Sequence, residues 1–482
     1  MNDIRSSLYI VGNLLVFFSF YMTIPGLFDF MEGGNDWVVF ATVASLCFFV
    51  GLNVSFVFKN KNRDIGILQA FILTLLCWII LTFVGSIPFF LGSPNLSFVD
   101  SFFESMSGIT TTGATIINDL DSTPKSMLIW RAMLQWLGGI GIIVIAIAVF
   151  PVLRLGGMQL FKTEFSARDD KVLPRTKTIA LGIGSVYLLL TFVCFICLVL
   201  AGMGLFDAIA HSMTIIATGG FSTKNMSIGF FDSVYIEITT MFFMLISALP
   251  FLLILQMFKG RIFELLKNSQ VQFFFVTILT LVFITTFWLQ KYYEVSFFQA
   301  LRIASFSIIS VTTGSGFSTY DFSTWGSFTT IILLFFMLIG GCSGSSSCGL
   351  KVFRLQILLT NAISLVKKII QPRGVFIPSY NSKSISSDVL SAVTGFFFLY
   401  ILTFAILTLI LSFNGLNIIT SMSGAAAALA NVGPGLGDTI GPSSNYSTLS
   451  DFTKIMLSIG MLVGRLELYP LLILFSIDFW RN

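Results

Sequence analysis

Small residues interrupt an otherwise apolar chain at four places, and each interruption follows a hydrophobic stretch. The first is Ser107–Thr115, SGITTTGAT, where three consecutive threonines and Gly113 follow a hydrophobic stretch. Glycine bends the backbone freely, but bent backbone inside a membrane loses hydrogen bonds unless other groups replace them. A cation can take that place, because backbone carbonyls coordinate dehydrated ions. These residues therefore point to ion binding by the backbone.

Related turns recur at regular spacing along the chain. They are ATGGFST at 217–223, TGSGFST at 313–319 and NVGPG at 431–435. The glycines that align are separated by 107, 96 and 117 residues, which predicts a fourfold internal repeat. They are Gly113, Gly220, Gly316 and Gly433. Four unrelated glycine turns between helices would explain the glycines, but not the threonine-rich approach or the regular spacing.

Four bent segments around one axis would form a selectivity filter, in which carbonyl rings replace the hydration shell of a cation. The predicted ion-binding residues are the glycine of each turn and the two residues before it. They are Thr111, Thr112, Gly113, Thr218, Gly219, Gly220, Gly314, Ser315, Gly316, Asn431, Val432 and Gly433. The fourth turn departs from the pattern, because proline follows its glycine where the second and third turns have phenylalanine.

A different polar interruption, GGCSGSSSCG at Gly340–Gly349, lies inside an apolar helix. Each glycine costs roughly 1 kcal/mol against alanine in a helix, so this segment predicts a small polar loop within the membrane. Close helix packing by small residues is the alternative, but such packing does not require consecutive serines.

Arg465 is the other exceptional residue, because it lies about midway along the last hydrophobic segment with Glu467 close by. An arginine at a membrane helix centre costs roughly 2.5–3.5 kcal/mol, so such residues usually face a water-filled cavity. A structural Arg465–Glu467 pair is the alternative. A cavity-facing arginine would repel cations beneath the filter, and we therefore predict a gate made of the loop and this arginine. Its residues are Gly340, Gly341, Cys342, Ser343, Gly344, Ser345, Ser346, Ser347, Cys348, Gly349 and Arg465.

The elements that position these residues are membrane helices. The chain has 482 residues, of which 55% are hydrophobic and only 10% charged, against roughly 25% charged in a soluble domain. Several runs approach or exceed the roughly 20 residues that span a bilayer core. They are Ile65–Leu91, Ile129–Leu153, Ile179–Met203, Val271–Leu289 and Val389–Phe413.

Each turn lies in a module of long helix, short pore helix, turn and second long helix. The predicted fold class is an all-α integral membrane protein with four such M1–P–M2 repeats around one pore, plus two N-terminal transmembrane helices. The segments are 1–63 for the N-terminal hairpin, 64–155 for repeat 1, 176–262 for repeat 2, 270–372 for repeat 3 with a broken second helix, and 386–482 for repeat 4. The second helices are predicted at 126–153, 230–258, 324–370 and 450–478.

Loop charges predict the orientation. Two loops, 154–177 and 351–383, are rich in lysine and arginine, which by the positive-inside rule places them in the cytoplasm. The opposite loop, 93–125, carries mainly acids, which are Asp100, Glu104, Asp119 and Asp121. Ten crossings would then leave both termini cytoplasmic in a multi-pass protein of the bacterial cytoplasmic membrane.

Chemistry by side chains is not indicated. The six cysteines are scattered through apolar stretches, Cys194-x-x-Cys197 has no second pair, and His211 is the single histidine. A metal site or redox pair at these cysteines is less favoured than helix packing. The sequence shows no arrangement of paired carboxylates, metal ligands or nucleophile that would support an enzyme.

Together the residues Thr110–Ala114, the Gly-Phe-Ser-Thr stretches, the GGCSG loop that leads to Arg354, and GRLELYPLL around Arg465 resemble the Trk/Ktr/HKT superfamily of cation transporters. The likeness covers the whole chain and is greatest for the bacterial TrkH-type branch. It implies K⁺ as the transported ion, since sodium-preferring plant members have serine at the position of Gly113. It also implies no other cofactor, a homodimer, and a cytoplasmic nucleotide-binding regulatory subunit of the TrkA type.

The predicted function is therefore K⁺ uptake through a channel-like pore. A symporter coupled to H⁺ or Na⁺ is the alternative, and it would need a midplane carboxylate or histidine, for which His211 and Glu467 are the candidates. A membrane-embedded respiratory or transferase subunit would need a cofactor or acceptor site, and the sequence indicates none.

Overall fold

The structure is a computed structural model that describes residues 5–59, 67–148, 172–293, 295–381, 383–469 and 472. Two apolar helices come first and pack against each other as a hairpin, α1 (Arg5–Glu32) and α2 (Trp37–Val57). The predicted cytoplasmic loop 154–177 lies outside the described residues up to position 171, and its last residues already belong to the next helix.

Four helical modules follow the hairpin. The first contains α3 (Ile67–Leu91), α4 (Phe98–Ile109) and α5 (Lys125–Ala148). The second contains α6 (Val172–Leu200), α7 (Leu205–Ile216), α8 (Val234–Ser247), α9 (Phe251–Phe258) and α10 (Ile262–Lys267). The third contains α11 (Ser269–Tyr293), α12 (Phe297–Thr313), α13 (Gly326–Met337) and α14 (Val352–Ile370). The fourth contains α15 (Ser387–Phe413), α16 (Ile418–Ala430) and α17 (Asp451–Arg465).

Strands are short in the described part of the chain. Strand β1 (Ser379–Tyr380) pairs antiparallel with β2 (Lys383–Ser384), with Ser379 opposite Ser384. Two 3₁₀ helices, Ser227–Phe231 and Phe322–Thr324, lie in the connections after the second and third turns. The chain is therefore an all-α integral membrane protein, as predicted.

Three of the four short helices, α4, α12 and α16, begin at a residue whose side chain caps the helix. Ser97, Ser296 and Asn417 each accept a hydrogen bond from the backbone amide three residues further on. Such caps satisfy amides that the first helical turn leaves unpaired. Helix α7 begins after Gly204 without a side-chain cap and carries Asp207 in its first turn, where a negative charge suits the helix dipole.

The first long helix of each module and both helices of the N-terminal hairpin have the length and composition of membrane spans. Among the described residues six helices are long and apolar enough to cross a bilayer, and α8 with α9 would make a seventh if the bent pair is one span. Large apolar side chains such as Phe20, Phe56 and Phe192 are exposed on these helices, as expected for surfaces that face lipid. The predicted total of ten crossings stays a prediction.

The long helix that follows the turn is not one continuous span in the second, third and fourth modules. The third is broken between Met337 and Val352, as its glycines and serines predict. The prediction of one continuous helix at 230–258 was wrong, because α8 and α9 meet at an angle of 100°. Pro250 immediately precedes α9 and lacks the amide that a continuous helix would need there.

The last helix is also shorter than predicted. Instead of running from 450 to 478, α17 ends at Arg465, and Glu467 and Leu468 both have φ of +58°. Arg465 therefore lies at the C-terminal end of its helix and not midway along it. Most of the predicted remainder, 470–471 and 473–478, lies outside the described residues.

Buried apolar side chains form two large clusters. One joins the N-terminal hairpin to the first and fourth modules, and includes Phe18, Phe103 and Met461. The other is built mainly from the second and third modules, and includes Ile216, Phe243 and Phe306. The four modules thus pack as neighbours around the four turns that separate their helices.

Candidate ion-binding site

Each pore helix ends in the same hydrogen-bonded turn. The residue before each filter glycine donates its amide to the carbonyl five residues earlier, at 2.8–3.0 Å. These pairs are Thr112 to Ser107, Gly219 to Thr214, Ser315 to Ser310 and Val432 to Ala427. The amides that precede them bond three residues back, which completes the pattern of a Schellman-type helix terminus. The four turns that were aligned by sequence therefore share one hydrogen-bonding geometry.

Backbone dihedral angles repeat in the same register. Two residues before each filter glycine φ is positive, at Thr111, Thr218, Gly314 and Asn431, with values from 51° to 73°. The filter glycines themselves have φ of 90°, 81°, 74° and 102°. Positive φ is rare for β-branched residues, and holding such a residue there costs roughly 1–3 kcal/mol. Such strained backbone persists only where the contacts around it fix its conformation.

The four turns form a closed ring. A Cβ added to Gly113 would collide with the carbonyl oxygen of Gly219, and each following glycine faces the next repeat in the same way. The remaining pairs are Gly220 with Ser315, Gly316 with Val432, and Gly433 with Thr112. No side chain fits between neighbouring turns, so the glycines are required by close backbone approach. The twelve predicted filter residues therefore lie together around one axis.

Cross-links join the fourth turn to its neighbours. The Asn431 side chain donates to Oγ1 of Thr112 at 2.8 Å and to the carbonyl of Met461 at 3.0 Å. Tyr446 donates its hydroxyl to the carbonyl of Gly433 at 2.7 Å. The fourth turn thus has its own supports, although it lacks the Gly-Phe pair.

A buried ion pair stands behind the first and second turns. Arg131 Nε lies 2.7 Å from Oε1 of Glu104, and the two side chains are 1% and 0% exposed. Glu104 also accepts hydrogen bonds from Oγ1 of Thr115 and the amide of Ile116. Arg131 donates to the carbonyl of Ser222 at 2.8 Å. The pair therefore links the backbone that follows the first turn to the backbone that follows the second.

Removing one member of this pair should destabilise the protein strongly. Arg131→Met leaves the Glu104 carboxylate buried without its cation, and we expect a loss of about 3–5 kcal/mol, as for other broken buried pairs. The measurement is the thermal unfolding midpoint of the detergent-solubilised protein. Glu104→Leu combined with Arg131→Met should lose less than the two single losses added together.

The control for this prediction is a partly exposed pair elsewhere. Arg302 lies 3.4 Å from Glu237 with 28% of its side chain exposed, so Arg302→Met should cost about 1 kcal/mol or less. Additive losses in the Glu104–Arg131 double variant, or equal losses at Arg131 and Arg302, would contradict a coupled buried pair.

The polar loop Gly340–Gly349 lies against one end of the ring. Oγ of Ser346 is 3.2 Å from Oγ1 of Thr218, the residue that opens the second turn. A Cβ on Gly314, which opens the third turn, would lie 3.4 Å from Oγ of Ser347. Loop serines 343, 345, 346 and 347 are all buried, and within the loop Gly344 alone is partly exposed.

The bend between α8 and α9 supplies bonding partners for this loop. The Ser346 hydroxyl lies 3.1 Å from the carbonyl of Ser247, and the Cys342 amide donates to the carbonyl of Ala248 at 3.0 Å. In return Phe251, in the first turn of α9, donates its amide to the carbonyl of Gly344 at 2.9 Å. Backbone groups inside a membrane must be satisfied internally, and here two broken helices satisfy each other.

Arg465 holds the loop from its other side. One guanidinium nitrogen, Nη1, donates to the Ser346 carbonyl at 3.1 Å and to Sγ of Cys348 at 2.8 Å. The other, Nη2, donates to the carbonyl of Gly138 at 2.9 Å. The residue is 1% exposed, and its Nε has no hydrogen-bond partner among the described residues. The predicted gate residues are therefore in direct contact.

Glu467 is not the partner of Arg465. The alternative that paired these two residues was wrong, because Glu467 forms an ion pair with Arg354 at the start of α14. The Arg354 guanidinium also lies 3.8 Å from the centre of the Phe396 ring. Sequence neighbours two residues apart do not face each other on a helix, and the positive φ of Glu467 turns it further away.

On the side away from the loop the ring opens into a funnel with a cavity volume of about 70 Å³. Gly113, Gly220 and Gly316 line it together with Tyr446 and the rim residue Asn225. At this rim Asp119 accepts hydrogen bonds from Ser122 and Asn225, which lower the pKa of the carboxyl below its ordinary value. Asp119 therefore carries a negative charge at neutral pH near the mouth of the funnel.

Several supporting residues were missed in the sequence. Glu104 was counted among the acids of an exposed loop, but it is fully buried in α4. A glutamate within a pore helix and an arginine within an apolar helix were signals that each needs a partner. Gln135 and Tyr446 gave no comparable signal. His211 is buried, with Nδ1 at 2.8 Å from the carbonyl of Asp207 and Nε2 at 3.0 Å from Oγ of Ser222, as expected for a hydrogen-bonded structural residue.

Four helix, pore helix, turn and helix repeats whose turns meet in one ring define a pore-loop membrane protein. The chain belongs to the TrkH family, whose family model is described as "Cation transport protein" and matches residues 38–480.

Known proteins share this architecture over their full length. The chain is 38% identical to the Trk system potassium uptake protein TrkH of Vibrio parahaemolyticus, covering 99% of each chain. It is 37% identical to TrkH of Escherichia coli K12, again over 99% of each. The crystal structure of the potassium transporter TrkH from Vibrio parahaemolyticus matches with a TM-score of 0.91 at 37% identity, covering 100% of both chains.

Proposed function

We propose that this protein takes up potassium across the cytoplasmic membrane through a channel-like pore. The observation that carries the proposal is the ring of four turns, in which each filter glycine faces the carbonyl before the next one. Relatives named as potassium uptake proteins, similar over the full length, support K⁺ as the ion. The proposed localisation is the cytoplasmic membrane, with both termini in the cytoplasm.

In the proposed mechanism the twelve filter residues coordinate K⁺ through their backbone. Each of the four pore helices ends directly at a filter segment, at Ile109, Ile216, Thr313 and Ala430. The C-terminal end of a helix carries a partial negative charge, so four such ends favour a cation there. The ring replaces the hydration shell, and K⁺ passes as cargo without a cofactor.

The loop Gly340–Gly349 and Arg465 are the proposed gate beneath this filter. Ser346 is in contact with Thr218 on one side and accepts a hydrogen bond from Arg465 on the other. A loop of glycine and serine changes conformation at low cost, and the arginine supplies a positive charge that repels passing cations. Movement of the loop away from Thr218 would open the pathway.

Ion flux in liposomes tests the proposed function. The purified protein in sealed liposomes should carry Rb⁺ or K⁺ down its gradient at a rate that is independent of an imposed pH or Na⁺ gradient. Flux that requires either gradient would favour the symporter. Both candidate coupling residues are engaged elsewhere, His211 with Ser222 and Glu467 with Arg354. The absence of any Rb⁺ or K⁺ flux from folded protein would overturn potassium transport itself.

We also propose that the protein acts as a homodimer with a cytoplasmic nucleotide-binding subunit. The relatives' designation as a Trk system supports a multi-component assembly. Lys367, Lys368 and Arg373 are exposed at and beyond the C-terminal end of α14, whose other end begins just after the gate loop. Helix α14 would therefore connect the docking surface to the gate.

Neutralising the three exposed charges should weaken docking. The triple variant Lys367→Gln, Lys368→Gln, Arg373→Gln should bind a TrkA-type subunit about tenfold more weakly at low salt, since each exposed pair contributes roughly 0.2–1 kcal/mol. The matched control is Lys291→Gln, which neutralises a lysine in the last turn of α11, outside the proposed docking surface. Equal affinity of wild type and variant at low and high salt would contradict this docking surface.

A further inference from the structure

The filter ring is not supported equally on all sides. Helix α5 presents Arg131 and Gln135, four residues apart on one face, to the backbone around the second turn. Side chains at this spacing lie on the same face of a helix one turn apart. They therefore act on consecutive parts of one filter segment.

Gln135 makes two hydrogen bonds to this segment. Its Nε2 donates to the carbonyl of Gly219 at 2.6 Å, and its Oε1 accepts the amide of Phe221 at 3.1 Å. The side chain is fully buried. Because the amide spans Gly220 in this way, it fixes the direction of the peptide groups on both sides of the filter glycine.

The Gly219 carbonyl is a member of the ring, since it is the oxygen that faces Gly113. Its counterparts are the carbonyls of Thr112, Ser315 and Val432. Among the hydrogen bonds of the described residues, none runs from a side chain to these three oxygens. The second repeat alone therefore shares its ring carbonyl with a side-chain donor in this part of the chain.

The positive hydrogen of a donor offsets part of the field of a carbonyl oxygen and occupies a lone pair that a cation could otherwise use. The number and the field strength of the coordinating dipoles are one determinant of selectivity among alkali cations, beside the size of the cavity. A weaker field at one of four carbonyls disfavours the small, strongly hydrated Na⁺ more than K⁺, because Na⁺ needs stronger ligands to replace its water.

We propose that Gln135 is a positioning residue that determines cation preference, by weakening and orienting the Gly219 carbonyl. This inference rests on the proposed filter. Arg131 holds the same segment two residues further on, through the carbonyl of Ser222, and the fully buried Glu104 holds Arg131. The segment is thus fixed at Gly219, Phe221 and Ser222, with α5 as the rigid support.

The test measures the ratio of Na⁺ to Rb⁺ flux in proteoliposomes. Gln135→Met keeps the length of the side chain but removes both hydrogen bonds, and it should raise the ratio by about three- to tenfold, the range expected for one hydrogen bond. Gln135→Glu keeps an acceptor for the Phe221 amide but cannot donate to Gly219, and its carboxylate adds negative charge. It should raise the ratio further.

The matched control removes a partly buried hydrogen bond from the next residue of α5. Thr191→Val deletes the acceptor of Trp136 Nε1, 3.1 Å away, and neither side chain is hydrogen-bonded to the four turns among the described residues. Thr191→Val should leave the flux ratio unchanged.

Two further outcomes separate this inference from the filter proposal. If Gly113→Ser changes the flux ratio while folded Gln135→Met and Gln135→Glu leave it at the wild-type value, the filter stands and the role of Gln135 is overturned. If none of the three variants changes it, the filter assignment itself fails. Loss of folding in both Gln135 variants, with Thr191→Val folded, would also overturn the proposal, because it would assign Gln135 a structural role alone.

Discussion

Gly113→Ser should raise Na⁺ permeation relative to K⁺ by about tenfold or more, for which a difference of about 1.4 kcal/mol between the two ions suffices. A side chain at this position would collide with the Gly219 carbonyl oxygen, and the φ of +90° is one that L-residues rarely adopt. The first turn, the second turn or both must therefore move. The displaced carbonyls then form a cavity with a different fit to K⁺.

The measurement is the ratio of Na⁺ to Rb⁺ flux into liposomes that contain the purified variant. Gly141→Ser is the matched control, because it introduces the same side chain into α5 at a glycine with nothing within 4 Å of an added Cβ. The control should keep the wild-type ratio. An unchanged ratio in a folded Gly113→Ser protein would remove Gly113 from the filter.

Arg465→Ala should raise basal K⁺ or Rb⁺ flux in the absence of any regulatory subunit. The substitution removes three hydrogen bonds from the guanidinium, two to the gate loop and one to Gly138. It also removes a charge that, at about 4 Å from a passing cation and an effective dielectric near 20, costs on the order of 4 kcal/mol. Water in an open pathway reduces that barrier, so we expect an increase of about tenfold or more.

A shortened loop provides an independent form of the same prediction. A deletion within 343–347 that includes Ser346 removes the residue that lies between Arg465 and Thr218, so flux should again rise. Ion preference should change little in either variant, because the four turns keep their own hydrogen bonds. Arg465→Lys retains the charge with fewer hydrogen bonds, and its flux should lie between those of wild type and Arg465→Ala.

Rubidium uptake by proteoliposomes at equal protein density measures this effect. Arg302→Ala is the control, since Arg302 is paired with Glu237 and makes no contact with the loop among the described residues. Lower flux in both Arg465→Ala and the shortened loop, with normal membrane yield, would assign these elements to structural support and not to a gate.

Local sequence was sufficient to predict the four turns of the proposed filter and the broken third-repeat helix. Both depend on the backbone conformations that a few consecutive residues can adopt. Glycines that must adopt positive φ recur at Gly113, Gly220 and Gly316, and runs of glycine and serine do not continue a membrane helix at 340–349. The short capped helices before the turns are likewise local, because each cap involves residues three apart.

The supports behind the filter could not be predicted in this way. Gln135 and Gly219 are 84 residues apart, and Glu104 and Arg131 are 27 apart. Which side chains meet depends on how the modules pack around the ring, and this is not encoded in the pattern of any one segment. The bend at Pro250 was missed for a different reason: the residues around it stay apolar, so hydropathy does not fall where the helix ends.

The closed ring of turns is made by a single chain, and this has a consequence for how such a pore is tuned. A pore of four identical subunits repeats every substitution four times around its axis. Here a single substitution changes one of the four turns and leaves the other three unchanged, so in the proposed filter each turn can alter ion preference separately. The three filter residues of the four turns differ in sequence, and only the final glycine is common to all four. They read Thr-Thr-Gly, Thr-Gly-Gly, Gly-Ser-Gly and Asn-Val-Gly.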